Sequence, residues 1–254
     1  MYDDRTVTIT FLSILARTSA VLAFVPIPGL RSPVSIARAV LSLAVSAALY
    51  PGCPRVSQSH AGSGGQILAL MIAELCIGLT AGLLLSFFFE VFQFSAQMLS
   101  QQAGFSYAAT IDPTNNTDTG VLLVLSQLLA GLLALGLGLD RQIVSLIGDS
   151  LKTIPPGQYQ LTPQLLADVQ RAGSTVFELG ATMALPSVTV FLCIDVILGV
   201  LSRVEQQLQL TTILFPLKTA GSVAVVILIF ATYPTLLSRL LETTIASIRH
   251  AMGV

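Results

Sequence analysis

Charge is scarce in this sequence. Only 10% of its 254 residues are Asp, Glu, Lys or Arg, against roughly 25% in an average soluble domain. With 54% hydrophobic residues and a mean hydropathy of +0.83, the chain reads as an integral membrane protein. A net charge of −1 and the lack of any basic stripe exclude nucleic acid as a partner. Trp is absent, so an aromatic belt would have to rest on five Tyr and twelve Phe. The two histidines, His60 and His250, sit in a linker and in the tail. Neither lies near a nucleophile motif, and GxSxG, HExxH, a Walker-type Gly-Lys pair and a DxD cluster are all missing. The sequence therefore predicts no enzyme and no cofactor. Three cysteines without CxxC or Cys/His spacing exclude a zinc site and argue against a disulfide; Cys76 and Cys193, inside apolar spans, read as small buried hydrophobes. Met1-Tyr2-Asp3-Asp4 opens with acid where a signal peptide needs base, and Arg17 interrupts the apolar run that follows, so the first span is expected to be retained.

Long apolar runs are what the chain does have. On the usual ~20-residue criterion, hydropathy divides it into about six segments: Ile9 to Val25, Ile36 to Tyr50, Gln66 to about Gln102, Val121 to Leu139, Phe177 to Leu201 and Ile213 to Tyr233. The third runs without a breaker for longer than one bilayer crossing requires. Residues 57–65, rich in Ser and Gly, read as a flexible linker. Arg141 to Lys152 carries Ile143, Val144, Ile147 and Leu151 on one face, as an amphipathic helix should. Pro155-Pro156-Gly157 stops it. Thr162-Pro163 is a good N-cap and first-position pair for a further helix through Leu165, Leu166, Val169 and Ala172. The tail from Thr235 to Met252 is amphipathic again. No strand alternation persists. The expected fold class is all-α, one integral-membrane domain over residues 1–254. Arginines are spread over successive loops, so the positive-inside rule gives no orientation.

Between the third and fourth segments lies a polar island, Gln97 to Gly120. Its amides, hydroxyls and Asp112-Pro113 turn cannot face lipid. Residues 103–120 form a candidate pore plug, in which Gly104, Phe105, Tyr107, Asp112, Pro113, Asn115, Asn116 and Gly120 are the candidate gate residues. Glycines at either end of an Asx-rich loop let it rearrange at modest cost. An ordinary solvent loop is the plainer reading.

Arg17, Glu74, Glu90, Glu178, Asp195, Arg203 and Lys218 stand within or at the ends of apolar segments. One charge at a bilayer centre costs ~2.5–3.5 kcal/mol even on the lenient insertion scale. These residues therefore pair, face a wet cavity, or never sit in lipid. Pairing between helices is the plainer reading; a polar pathway is the functional one. A stand-alone proton-coupled secondary transporter would also use Glu74 or Asp195, but the two halves show no internal repeat. Gly78 and Gly82 have the spacing that lets helix backbones approach closely, most simply within one chain.

Taken in order, these features resemble the FliR/SctT family of the flagellar and injectisome type III export apparatus over nearly the whole chain. Leu15-Ala16-Arg17 followed by Pro26 or Pro28, then Arg38, is similar to the family's opening. Gly104-Phe105-Ser106-Tyr107-Ala108 leading to Asp112-Pro113 looks like its central loop, and Asp149-Ser150 before Ile154-Pro155 like a helix end followed by Pro. The strongest match is Ala184-Leu185-Pro186, Asp195, Gly199-Val200-Leu201-Ser202-Arg203, Gln207 and Phe215-Pro216-Leu217-Lys218. Gln206-Gln207, Gln209 and Leu214 depart from the family's usual Pro-Gln, Asn and Gly. The resemblance implies a structural subunit of an export gate in the bacterial cytoplasmic membrane, at the flagellar basal body or, alternatively, in an injectisome. The complete central loop favours the flagellar kind. It further implies one copy of this chain assembling with FliP-like and FliQ-like small membrane proteins, an FlhB-like switch protein docking beside them, and unfolded proteins in transit. Under this reading Arg17, Glu74, Gly78, Gly82, Asp195, Arg203, Gln207, Pro216 and Lys218 are candidates for inter-helix and assembly contacts.

Overall fold

The computed structural model describes residues 4–25, 35–54, 64–103, 121–157, 163–204 and 210–251. Among these, every regular element is helical: α1 (Asp4–Phe24), α2 (Ser35–Leu49) running into a 3₁₀ turn (Tyr50–Gly52), α3 (Gly64–Gln102), α4 (Val121–Gly136), α5 (Leu139–Thr153), α6 (Pro163–Val204) and α7 (Leu210–Ala251). The protein is an all-α membrane protein. Three stretches are long and apolar enough to cross a bilayer, Arg5–Phe24, Gly64–Gln102 and Val169–Leu201, and a fourth arises if α4 and α5 are counted as one broken span. The six segments expected from hydropathy are not confirmed as six spans among the described residues. Ile36–Gly52 is too short to count as a span.

Two expected boundaries vanish. The helix starting at Pro163 and the segment from Phe177 fuse into the 42-residue α6, because no breaker separates them. Pro186 lies inside that helix, as proline can where neighbouring groups re-satisfy the freed carbonyl. The sixth segment and the tail likewise merge into α7, also 42 residues.

The helices distribute over two compact units. One comprises Met1–Phe88, Ala134–Gly173 and Leu240–Val254, the other Phe89–Leu133 and Ser174–Arg239. In the first, Val21 of α1, Ala81 and Leu85 of α3, Leu139 and Leu146 of α5, and Ile245 and Ile248 of α7 line one apolar gap, so four helices converge there. α1 and α2 pack side by side. Arg38 on α2 donates from Nη1 to the Ala23 carbonyl at 3.0 Å and from Nη2 to that of Val25 at 3.3 Å. The last carbonyls of a helix lack intrahelical donors, and Arg38 supplies two of them. In the second unit, Leu99, Ala103, Leu122 and Phe191 form a buried cluster with Ile194 and Val225 against it. Phe92 and Tyr233 meet edge to face, centroids 4.9 Å apart, as do Phe94 and Phe177 at 5.3 Å.

Small polar residues inside these helices mostly bond to their own backbone. Thr10 donates to the Thr6 carbonyl, Ser13 to Ile9, Ser46 to Ser42 and Ser187 to Ala184. Such back-bonding hides a hydroxyl in an apolar setting.

Candidate functional site

Arg17 lies midway along α1, where the apolar face turns toward α3. Its side chain and that of Glu74 on α3 are both 0% exposed. Nε of Arg17 donates to Glu74 Oε2 at 2.7 Å, and Nη2 reaches the same oxygen at 2.6 Å. Nη1 donates to Ser150 Oγ at 3.0 Å, and Nη2 also donates to the Ile154 carbonyl at 3.2 Å. Oε1 of Glu74 accepts the backbone N–H of Gly157 at 3.1 Å. Three segments of the chain thus meet on one ion pair: α1, α3 and the end of α5 with its following turn. Breaking such a pair by removing one partner leaves a buried uncompensated charge, and that costs about 3–5 kcal/mol.

Close backbone approach makes the pairing geometrically possible. A Cβ placed on Gly78 would collide with the Arg17 carbonyl oxygen and stand 2.6 Å from the Ala20 Cβ. On Gly82 it would meet the Val21 carbonyl oxygen at 2.9 Å and the Phe24 Cβ at 3.1 Å. One turn apart on the same face of α3, the two glycines let α1 lie directly on the helix backbone. The small-residue spacing thus serves packing within this chain.

Ser150 and Gly157 were not among the residues that sequence reasoning singled out for contact. The usable signal was Pro155-Pro156-Gly157 directly after an amphipathic helix. A turn with two prolines has few backbone donors of its own, and Gly157 adopts φ +92°, which a side chain disfavours.

The other sequence candidates are dispersed. Asp195 is exposed on α6, along with Leu192, Val196, Ile197 and Val200. Ile197 is 63% exposed and Phe177 62%, so α6 carries a broad outward apolar face. Cys193 is exposed on that helix as well, not buried as its apolar neighbours suggested. All three cysteines are free. Arg203 lies in α6, and Pro216 and Lys218 lie in α7; their side chains are outside the described residues, as is Gln207. The whole candidate gate loop, Gly104, Phe105, Tyr107, Asp112, Pro113, Asn115, Asn116 and Gly120, also falls outside them, together with most of the 57–65 linker. Among the described residues no group of His, Cys, Asp and Glu could hold a metal ion.

Long apolar helices and a polar knot sealed from solvent mark a membrane-embedded helical protein. The family of bacterial export proteins, family 1, matches this chain over residues 8–244, and the chain belongs to that family. It is 29% identical over 203 residues to flagellar biosynthetic protein FliR of Escherichia coli (strain K12), covering 80% of this chain and 77% of that one. Identity to FliR of Pectobacterium carotovorum subsp. carotovorum is 31% over 148 residues, 58% of this chain and 57% of that one. Secretion system apparatus protein SsaT of Salmonella typhimurium is 26% identical over 191 residues, 73% of this chain and 72% of its own length. The chain is thus an export-apparatus subunit of the type III kind, working with other export components.

Proposed function

We propose that the chain is the single-copy structural subunit of a flagellar export gate, seated in the bacterial cytoplasmic membrane at the basal body. It joins FliP-like and FliQ-like subunits in the helical ring through which unfolded substrates pass, with an FlhB-like switch protein beside it. The observation carrying this reading is the contrast between a sealed charge pair and an open apolar helix face. Arg17 and Glu74 are wholly buried and bonded to one another, whereas α6 presents Phe177, Leu185, Val190, Val196, Ile197 and Val200 outward. A continuous apolar helix face of this extent suits contact with neighbouring helices. Residues 103–120 are assigned to closing the pore, and Arg203, Gln207, Pro216 and Lys218 to assembly.

A stand-alone transporter would need an acid open to a solute or proton path. Glu74 is closed on every side, which weighs against that role. Native mass spectrometry of the chain extracted in mild detergent tests the proposal. One copy within a hetero-oligomer of small membrane proteins is the expected result. A monomer or homo-oligomer active in solute uptake would overturn it.

A further inference from the structure

The Arg17–Glu74 pair has more hydrogen-bonding capacity than its two helices can use. A guanidinium carries five donors and a carboxylate several acceptor sites, and each left unmet in a buried setting is destabilising. With α1 and α3 alone, Nη1 of Arg17 and Oε1 of Glu74 would have nothing to bond. Both are satisfied by one short stretch. Ser150 Oγ and the Ile154 carbonyl accept from Arg17, at 3.0 and 3.2 Å. The Gly157 N–H donates to Glu74 at 3.1 Å. The cation therefore holds the stretch on one side of Pro155-Pro156, and the anion holds it on the other.

This grip is matched to what the turn can offer. Prolines have no N–H, so Gly157 is the first residue after Ile154 with a donor to give. The Ile154 N–H is already spent on the Ser150 carbonyl at 2.9 Å, which leaves its own carbonyl for Arg17. Pro156 is buried, although turns ordinarily run over the surface with water on their polar groups.

We propose that the ion pair is a latch for the turn after α5. Arg17 and Glu74 are positioning residues that hold Ile154-Pro155-Pro156-Gly157 against α1 and α3, fixing where the chain departs toward α6. The turn's place depends on the pair, beyond any contribution the pair makes to stability. Two properties should therefore come apart under mutation: stability and the fixity of the turn.

Cys53, a native thiol within electrostatic reach of both latch charges, is used to report on the second. Cys53 is half-buried. Burial pushes its thiol above the ordinary value, with Arg17, Glu74 and Lys152 as its charged neighbours. The test uses the full chain carrying Cys76→Ala and Cys193→Ala, purified with its co-extracted subunits, and measures the N-ethylmaleimide alkylation rate and the melting temperature. Gly157→Ala keeps both charges and strains the backbone at φ +92°, which draws the residue 157 N–H away from Glu74, so its melting temperature is read beside its alkylation rate. Alkylation is expected to rise roughly ten-fold, the factor tied to losing one or two charge-assisted hydrogen bonds. Arg17→Met combined with Glu74→Leu should melt near the parent temperature yet stay fast to alkylate once each rate is corrected for thiolate fraction from that variant's own rate–pH profile, because both charges act on Cys53. Parent-rate alkylation in Gly157→Ala, or a double variant restored in both properties, overturns the latch. If either of those variants fails to fold, Ser150→Ala decides, with about a ten-fold rise expected for one hydrogen bond from a charged donor and the parent rate overturning the proposal.

Discussion

Around Arg17 the first unit hides a full charge by surrounding it with partners from three segments, whereas around Tyr233 the described residues of the second unit bring hydroxyls together. There Ser126 Oγ lies 3.0 Å from the Tyr233 hydroxyl and 3.2 Å from the Phe92 carbonyl. Rings and aliphatic side chains pack nearby in the same unit. The two solutions place different demands on the chain. An ion pair tolerates no sliding, because a residue's shift strands both charges, and it specifies one register between α1 and α3. Apolar packing is more forgiving of substitution provided volume is kept. The unit with the forgiving core also carries most of α6 with its exposed apolar residues. The lesson is that one unit ties its helices together through a buried charge pair and the other through packing.

The largest way to break this comparison is Arg17→Met. Glu74 would be left buried and unpaired, at a cost of about 3–5 kcal/mol, and the chain should fall sharply in the membrane fraction by immunoblot. Adding Glu74→Leu should restore most of it. Next comes Gly78→Ala, whose new methyl would press on the Arg17 carbonyl and cost about 1–3 kcal/mol. Gly136→Ala is the control, since nothing lies within 4 Å of its added Cβ. A fluorescence-detected melt should show a drop for the first and none for the second.

A smaller effect should run the other way. The Thr18 hydroxyl is buried and finds no hydrogen-bond partner among the described residues. Thr18→Val removes that unmet group at nearly constant shape, so the melting temperature should rise, by about 1 kcal/mol of stability. The smallest change is expected from Tyr233→Phe. It deletes one hydroxyl contact and leaves Ser126 bonded to Phe92, a loss of about 0.5–1 kcal/mol. A loss as large as that of Arg17→Met would dissolve the distinction between the two cores.

What could be read from the sequence follows from how local each signal is. The breaker-free run from Gln66 to Gln102 became one helix, Gly64–Gln102. The stripe on Arg141 to Lys152 became α5 with Ile147 and Leu151 buried, and Pro163 opened α6 where its capping pair predicted. Periodicity and capping act over a few turns, so they survive in sequence. Val144 departs from the expected stripe and is exposed. The pairing of Arg17 with Glu74 spans 57 residues, and charge alone cannot say which of several intramembrane partners will meet. The role of Ser150 was still less legible, since a serine near a helix end usually answers its own backbone. The six segments do not map one to one onto helices, because hydropathy sees apolar length and not helix continuity. It cannot tell that Phe177 continues a helix begun at Pro163.

Arg38 bears on where the first helix can end. Its guanidinium answers the carbonyls of Ala23 and Val25, so that end of α1 draws two of its hydrogen bonds from the chain itself and depends less on water there. The cap is itself a full charge, and its bond to Ala23 lies exposed, so a helix terminated in this way belongs at a polar boundary and not in hydrocarbon. One arginine thereby does two things for α1: it answers the last carbonyls and ties that end to the start of α2.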